Sequence, residues 1–168
     1  MAEPVSNLAD GMLKVLHVPA IANPASPTVA ELTAGTVLDV SCYLTADGYT
    51  PGGDEATVTD DRLCSVQTFQ RPGRHTDTLA LRYVYRAQDA AGTDNKAFHT
   101  LKHLVTGYIV TRWGQDFEDA IAATDVVDVM PVQYGKQMKQ APEANSVLKI
   151  SQTVFVTGAM QRDVAVAA

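Results

Sequence analysis

Apolar and polar side chains alternate through "KISQTVFVTGAMQRDVAVA", Lys149 to Ala167. A period of two marks a β-strand with one dry face, because successive side chains leave a strand on opposite sides. The even register holds Ile150, Val154, Val156, Met160, Val164 and Val166, while the odd one is polar or small apart from Phe155. An ordinary strand runs about 5 to 6 residues. One register kept over nineteen residues predicts either two strands hinged near Gly158 or a single strand reaching past its own domain to a partner.

The same reading divides the rest of the chain. After a polar arm, residues 1–11, expected to be flexible, "MLKVLHV" from Met12 is a first strand. Ser26 before Pro27 reads as a helix cap for "PTVAELTA", proline being suited to a first helical position. "TVLDVSCYL" places Leu38, Val40, Cys42 and Leu44 on one side of a strand, and Thr45–Asp61, rich in Gly and Pro without an apolar period, is expected to be a long loop. "RLCSVQTFQ" and "DTLALRYVYR" form a predicted hairpin turning at Pro72–Gly73. Asp94 reads as the cap of a helix over "NKAFHTLKHLV", whose Ala97, Phe98, Leu101, Leu104 and Val105 fall at helical spacing. "GYIVTRWG" is a strand apolar on both faces, and "VVDVMPVQYGKQMKQ" is another, which Pro131 should place at an edge or a bulge. The expectation is a mainly β fold with one flanking α-helix: an antiparallel β-sandwich or barrel of seven or eight strands, forming a single domain over residues 12–168.

Composition narrows the class. A hydrophobic share of 46% with 19% charge is globular, and no apolar run is long enough to span a bilayer as a helix. The N-terminus lacks a basic start followed by an apolar core, which predicts an intracellular home. Cys42 and Cys64, both inside strand-like runs, are expected to be buried, reduced thiols without a redox role. The net charge of −6, with no basic cluster, argues against a broad grip on nucleic acid, which needs Lys and Arg against phosphates.

Candidate chemistry is sparse. His99 and His103 stand four apart, a spacing that can share a metal, but Thr100 occupies the place where an HExxH hydrolase needs Glu. Two solvent-side histidines is the favoured reading. Asp54, Glu55, Asp60 and Asp61 lack the alternating spacing of an EF-hand and read as solvated carboxylates. Nucleophile elbows, phosphate loops and dinucleotide fingerprints are absent from the sequence. The expectation is a protein that is not an enzyme and uses no cofactor.

The order of these features, "PTVAELTAGTVLDVSCYLT", a glycine-rich acidic segment, "DTLALRYVYR", a helix running into "GYIVTRWG", then "VVDVMPVQYGKQMKQAPEANSVLKISQTVFVTG", resembles the major tail tube proteins of long-tailed bacteriophages, particularly those of actinobacterial hosts. The likeness covers nearly the whole chain from about Met12. It implies a β-sandwich or barrel with a flanking helix. It further implies homohexameric rings stacked into a virion tail tube, assembled in the host cytoplasm and conducting genomic DNA without binding it specifically. Tape measure, tail tip and tail terminator proteins are the implied partners, with no membrane.

Sheet edges left unpaired must be blunted or covered, and a ring of copies can cover them by closing on itself. In that setting Asp54, Glu55, Asp60 and Asp61 are the expected ring-stacking carboxylates, with Arg71, Arg74, Lys136 and Lys139 as their basic partners. Candidate lumen-facing residues are Asp128, Gln133, Ser151, Thr153 and Asp163. Two other readings remain open: a tail completion or tube-capping ring protein of the same fold, and a small-ligand-binding β-barrel whose pocket draws on Tyr83, Tyr85, Tyr108 and Trp113.

Overall fold

The computed structural model describes residues 3, 5–89 and 92–168. Eight strands share one antiparallel sheet: β1 (Leu13–Val18), β2 (Leu38–Asp39), β3 (Leu44–Asp60), β4 (Phe69–Val84), β5 (Thr106–Trp113), β6 (Val126–Lys139), β7 (Lys149–Val156) and β8 (Gln161–Ala165). Their order is β2-β1-β5-β6-β7-β4-β3, and β8 pairs with β6 beside this path. The sheet curls into a half-barrel, bringing Tyr49 of β3 edge-on to Trp113 of β5 with ring centroids 6.0 Å apart. Two short helices, α1 (Val29–Leu32) and α2 (Lys96–Thr100), complete the described elements.

Both faces of the sheet are partly dry, so several strands bury consecutive residues. The concave face packs Val15, Leu79, Leu81, Tyr83, Met130, Tyr134 and Ile150 with Leu101 beyond α2. The opposite face buries Leu16, Val18, Val110, Val127 and Val129 against Leu32 of α1 and Val166. Polar groups inside the concave core are paired. The buried Gln152 donates to the carbonyls of Leu101 (2.7 Å) and Gly135 (2.9 Å) and accepts from the Tyr83 hydroxyl (3.1 Å). His17 meets the Tyr134 hydroxyl through Nδ1 at 2.8 Å, and burial lowers its pKa to about 4, so the imidazole is neutral.

The final alternating run is two strands, broken at residues 157–160, which is the hinged alternative. Pro131 accounts for the break. Its carbonyl accepts from the Thr157 N–H at 3.0 Å, and its ring lies against Gly158. A residue that pairs across an antiparallel ladder offers its N–H and C=O to the same neighbour. The donor that Pro131 lacks would therefore point into the gap between β7 and β8, where no ladder bond is lost. Pro131 is at neither an edge strand nor a bulge; the register shifts of β6 fall on either side of it, between Val127 and Val129 and between Tyr134 and Gln137.

Other expectations are corrected. Residues 45–61 are not a loop: all but Asp61 belong to β3, paired with β4 from Leu44↔Tyr83 out to Asp60↔Phe69. The hairpin turns at residues 61–68 rather than at Pro72–Gly73, so Arg62–Thr68 are connection and not strand. The helix expected from Asp94 is only Lys96–Thr100, with Asn95 at its N-cap, while Asp94 pairs with Arg86. It stops because the Leu104 N–H and the Val105 carbonyl are drawn into ladder bonds with Tyr134, at 2.9 Å each. α1 is capped by Thr28, not Ser26, in a reciprocal box with Glu31. Backbone donors of Ala22 and Thr28 hold the Glu31 carboxyl below its ordinary pKa. β2 ends at Asp39, whose carboxylate accepts from the Ser41 N–H at 2.9 Å and turns the chain. Cys42 therefore leaves the Leu38/Val40 side. Both cysteines are exposed, not buried.

Candidate assembly surface

The β3–β4 hairpin changes character along its length. Near the core, Tyr49 faces Leu81 and Pro51 faces Leu79, and the two leucines are buried. Beyond this, every residue from Pro51 to Pro72 is exposed except the half-buried Asp60. Nine residue steps from Pro51 to Asp60, at about 3.3 Å each, carry the tip about 30 Å from the body. Leu63 and Val66 at the tip are fully exposed, and Val58 and Phe69 are more than half exposed. Apolar side chains on a ribbon with no core of its own mark an interaction surface.

The four acidic residues and their expected partners lie mostly on this hairpin, although it does not bring them all together. Asp60 accepts from Arg71 at 2.7 Å and from Arg62 at 3.1 Å, and these two guanidiniums hold its carboxyl below the usual range. Arg71 thus meets Asp60 within its own chain. Asp54 lies opposite Thr76 and Glu55 opposite His75. Asp61 and Arg74 are exposed. Lys136 and Lys139 are far along β6, where the Lys139 ammonium sits 4.9 Å over the Tyr85 ring.

The five wall candidates separate into two groups. Thr78↔Phe155, Ala80↔Thr153, Arg82↔Ser151 and Gln133↔Phe155 are cross-strand partners, which puts Gln133, Ser151 and Thr153 on one face with Phe155 and Arg82. That face is mostly polar but also carries Ala80 and two large exposed apolar residues, Phe155 at 58% and Met138, the partner of Ser151, at 55%. Asp128 has the opposite parity and lines a small cleft with Met130 and Trp113. Asp163, at a φ of 53°, donates its backbone N–H to Asp128 at 2.9 Å. The two aspartates form a separate corner.

A larger open cleft of about 820 Å³ lies at the root of the hairpin, walled by Leu13, Leu44, Tyr49, Trp113 and Phe117 and by arm residues including Leu8. Met1, Ala2 and Pro4 of the arm lie outside the described residues. Sequence reasoning misses this cleft because it joins three separated segments, within residues 7–15, 41–49 and 113–117; an isolated tryptophan at the end of an otherwise dry strand is its one local signal. The aromatic residues expected to line a ligand pocket do not converge: Tyr83 is in the core, Tyr85 packs on Phe98, and only Trp113 reaches the cleft. His99 and His103 are exposed, and among the described residues no three His, Cys, Asp or Glu side chains converge as a metal site would require.

Twelve chains of known structure match this fold. One belongs to the cryo-EM structure of the anti-feeding prophage baseplate, six-fold symmetrised, with a TM-score of 0.50 and 11% identity over 96% of each chain. No curated protein matches the sequence. A family model described as phage tail tube protein matches residues 1–168. Matched over its whole length, the chain belongs to the phage tail tube protein family.

Proposed function

We propose that this protein forms homohexameric rings that stack into the tube of a phage tail, a conduit for genomic DNA. The observation that carries this reading is the exposed hairpin. About 30 Å of paired strand with apolar residues at its end has no use in a lone domain, whereas stacked rings give it a surface to meet. The six-fold symmetry of the matched baseplate structure supports the ring order.

The two sheet edges differ. On one side β2 is only two residues long, and beside it the outer edge of β1 is blunted: the Ser41 hydroxyl accepts from the Val15 N–H at 2.8 Å, and the Val40 N–H donates to the Val15 carbonyl at 2.9 Å. On the other side β3 pairs only with β4 among the described residues, leaving its outer row of N–H and C=O groups for a neighbour. The mostly polar face carrying Gln133, Ser151 and Thr153 is the proposed lumen wall. Six copies at −6 each make an anionic ring, and a wall poor in phosphate contacts lets DNA pass without sticking. Tape measure, tip and terminator proteins are the proposed partners, in a virion tail built in the host cytoplasm.

Electron microscopy of the purified protein is the test, and tubes are the expected result. Monomers alone at high concentration, with seeds added, overturn the reading; rings that never stack favour a tube-capping part.

A further inference from the structure

We infer that the cleft at the root of the hairpin is the seat for the hairpin tip of a second copy of this chain. The inference rests on the tube reading for the premise that copies meet, and concerns where they meet.

The two surfaces match in chemistry. Tyr49, Trp113, Phe117 and Leu8 give the cleft an apolar lining, and Trp113 is 54% exposed. Asp10 lines it, and Asp116, Glu118 and Asp119 flank the lining residue Phe117 in sequence; all four carboxylates are exposed. The nearby cations are already engaged: Lys14 lies 3.7 Å from Asp39, and Arg112 bonds Asp125 at 3.0 Å. The tip offers Leu63 and Val66, with Val58 and Phe69 on a shared face beside the Asp60–Arg71 pair. Over residues 55–75, closed by the Glu55↔His75 pair, three arginines (Arg62, Arg71, Arg74) balance three carboxylates (Glu55, Asp60, Asp61), so a neutral, apolar knob projects from an anionic body. The apolar lining of the cleft, not net charge, is what the tip matches.

The chain's own tip cannot fill this cleft. Leu44, Thr45, Ala46 and Tyr49 line it, and they are the root of the same hairpin, about 30 Å from the tip along a paired ribbon. The occupant is therefore another molecule. Tip-into-cleft contact is heterologous: each copy gives one tip and receives one, so the contact repeats from copy to copy and stays open unless its rotation closes a ring. An axial stack is the open case.

The chain carries its own reporters. Cys42 lines the cleft, Cys64 sits at the tip, both thiols are exposed, and Trp113 is the sole tryptophan. On assembled protein, a short bis-maleimide is expected to give a ladder extending past the dimer, because Cys42-to-Cys64 links propagate from copy to copy. C42S and C64S should each abolish the ladder. Assembly should shift Trp113 emission to the blue and shield it from iodide, and L63D/V66D, altering two fully exposed residues, should leave a folded monomer that does not assemble. Tubes with Trp113 as quenchable as in the monomer, or crosslinks limited to dimers that survive C42S, overturn the seat and leave the tube reading standing. If no assembly of any kind forms, both fall.

Discussion

Strands β3 and β4 run through two environments, and the halves obey different rules. In the inner half, Leu79, Leu81 and Tyr83 alternate with half-buried residues and pack the concave core. In the outer half the same ladder continues from Gly52↔Thr78 to Asp60↔Phe69 with almost nothing buried. Hydrogen-bonded pairing alone is marginal in water for an isolated two-stranded ribbon. The inner half serves the stability of the single chain; the outer half serves contact with something outside it. Substitutions in the two halves should therefore separate folding from assembly.

The largest effect on folding belongs to the inner half. Leu81 is fully buried among the concave core, and L81A removes its side chain and leaves a cavity. The expected loss is about 2–5 kcal/mol of unfolding free energy, read by chemical denaturation. A loss under about 0.5 kcal/mol would mean the core closes without the hairpin root, and the contrast between halves would fail.

Next comes the acid response of the same core. Burial holds the folded pKa of His17 at about 4, below its ordinary 6.5, so the unfolded chain takes up the proton first. The stability that neutral His17 permits is complete above about 6.5 and is lost as pH falls toward 4. The gap amounts to about 3 kcal/mol. H17Q keeps a partner for Tyr134 and removes the titration, so its unfolding free energy should fall less between pH 7 and pH 4.5. An unchanged acid limb in H17Q would assign that limb to other groups. H75Q, on the exposed outer half, is the matching control.

What the sequence disclosed follows the same division. "DTLALRYVYR" was readable as a strand because Leu79, Leu81 and Tyr83 report a buried face every second residue. The outer part of β3 was unreadable because a ribbon wet on both sides has no apolar period, and Gly52, Gly53 and Pro51 resemble loop punctuation. Helical spacing from Ala97 to Val105 misled because residues 104–105 answer to a ladder with Tyr134, a contact far away in sequence. The mainly antiparallel β class was legible, and so was the shared face of Ser151 and Thr153, since parity within a strand survives folding; Gln133, on β6, joins them only through the register with β7. Asp128 differs from Gln133 in parity along β6 itself, and Asp163 keeps the odd count of Ser151 and Thr153 but lies past the break at residues 157–160. Gln152 was silent: a polar residue in the dry register shows its role only once the carbonyls of Leu101 and Gly135 surround it.

The smallest effect on folding, and the sharpest division between halves, should come from trimming the hairpin. Asp54 and Thr76 are direct cross-strand partners, so residues 55–75 can be replaced by Asn-Gly, a two-residue turn whose twist suits such a pair. The excision removes no buried side chain; its least exposed residues, Asp60 and Gly73, are only half-buried. It also shortens the chain that folding must order, which offsets the lost ladder bonds. The monomer's unfolding free energy should change by no more than about 1 kcal/mol, with Trp113 fluorescence as the probe, since Trp113 packs on Tyr49 inside the retained root. Assembly should nevertheless disappear, because the removed segment contains every exposed apolar residue of the tip. A trimmed chain that still builds tubes would show that the outer half is dispensable for stacking. One that unfolds would show that it supports the core. Either result would erase the distinction between the two halves on which the assembly reading depends.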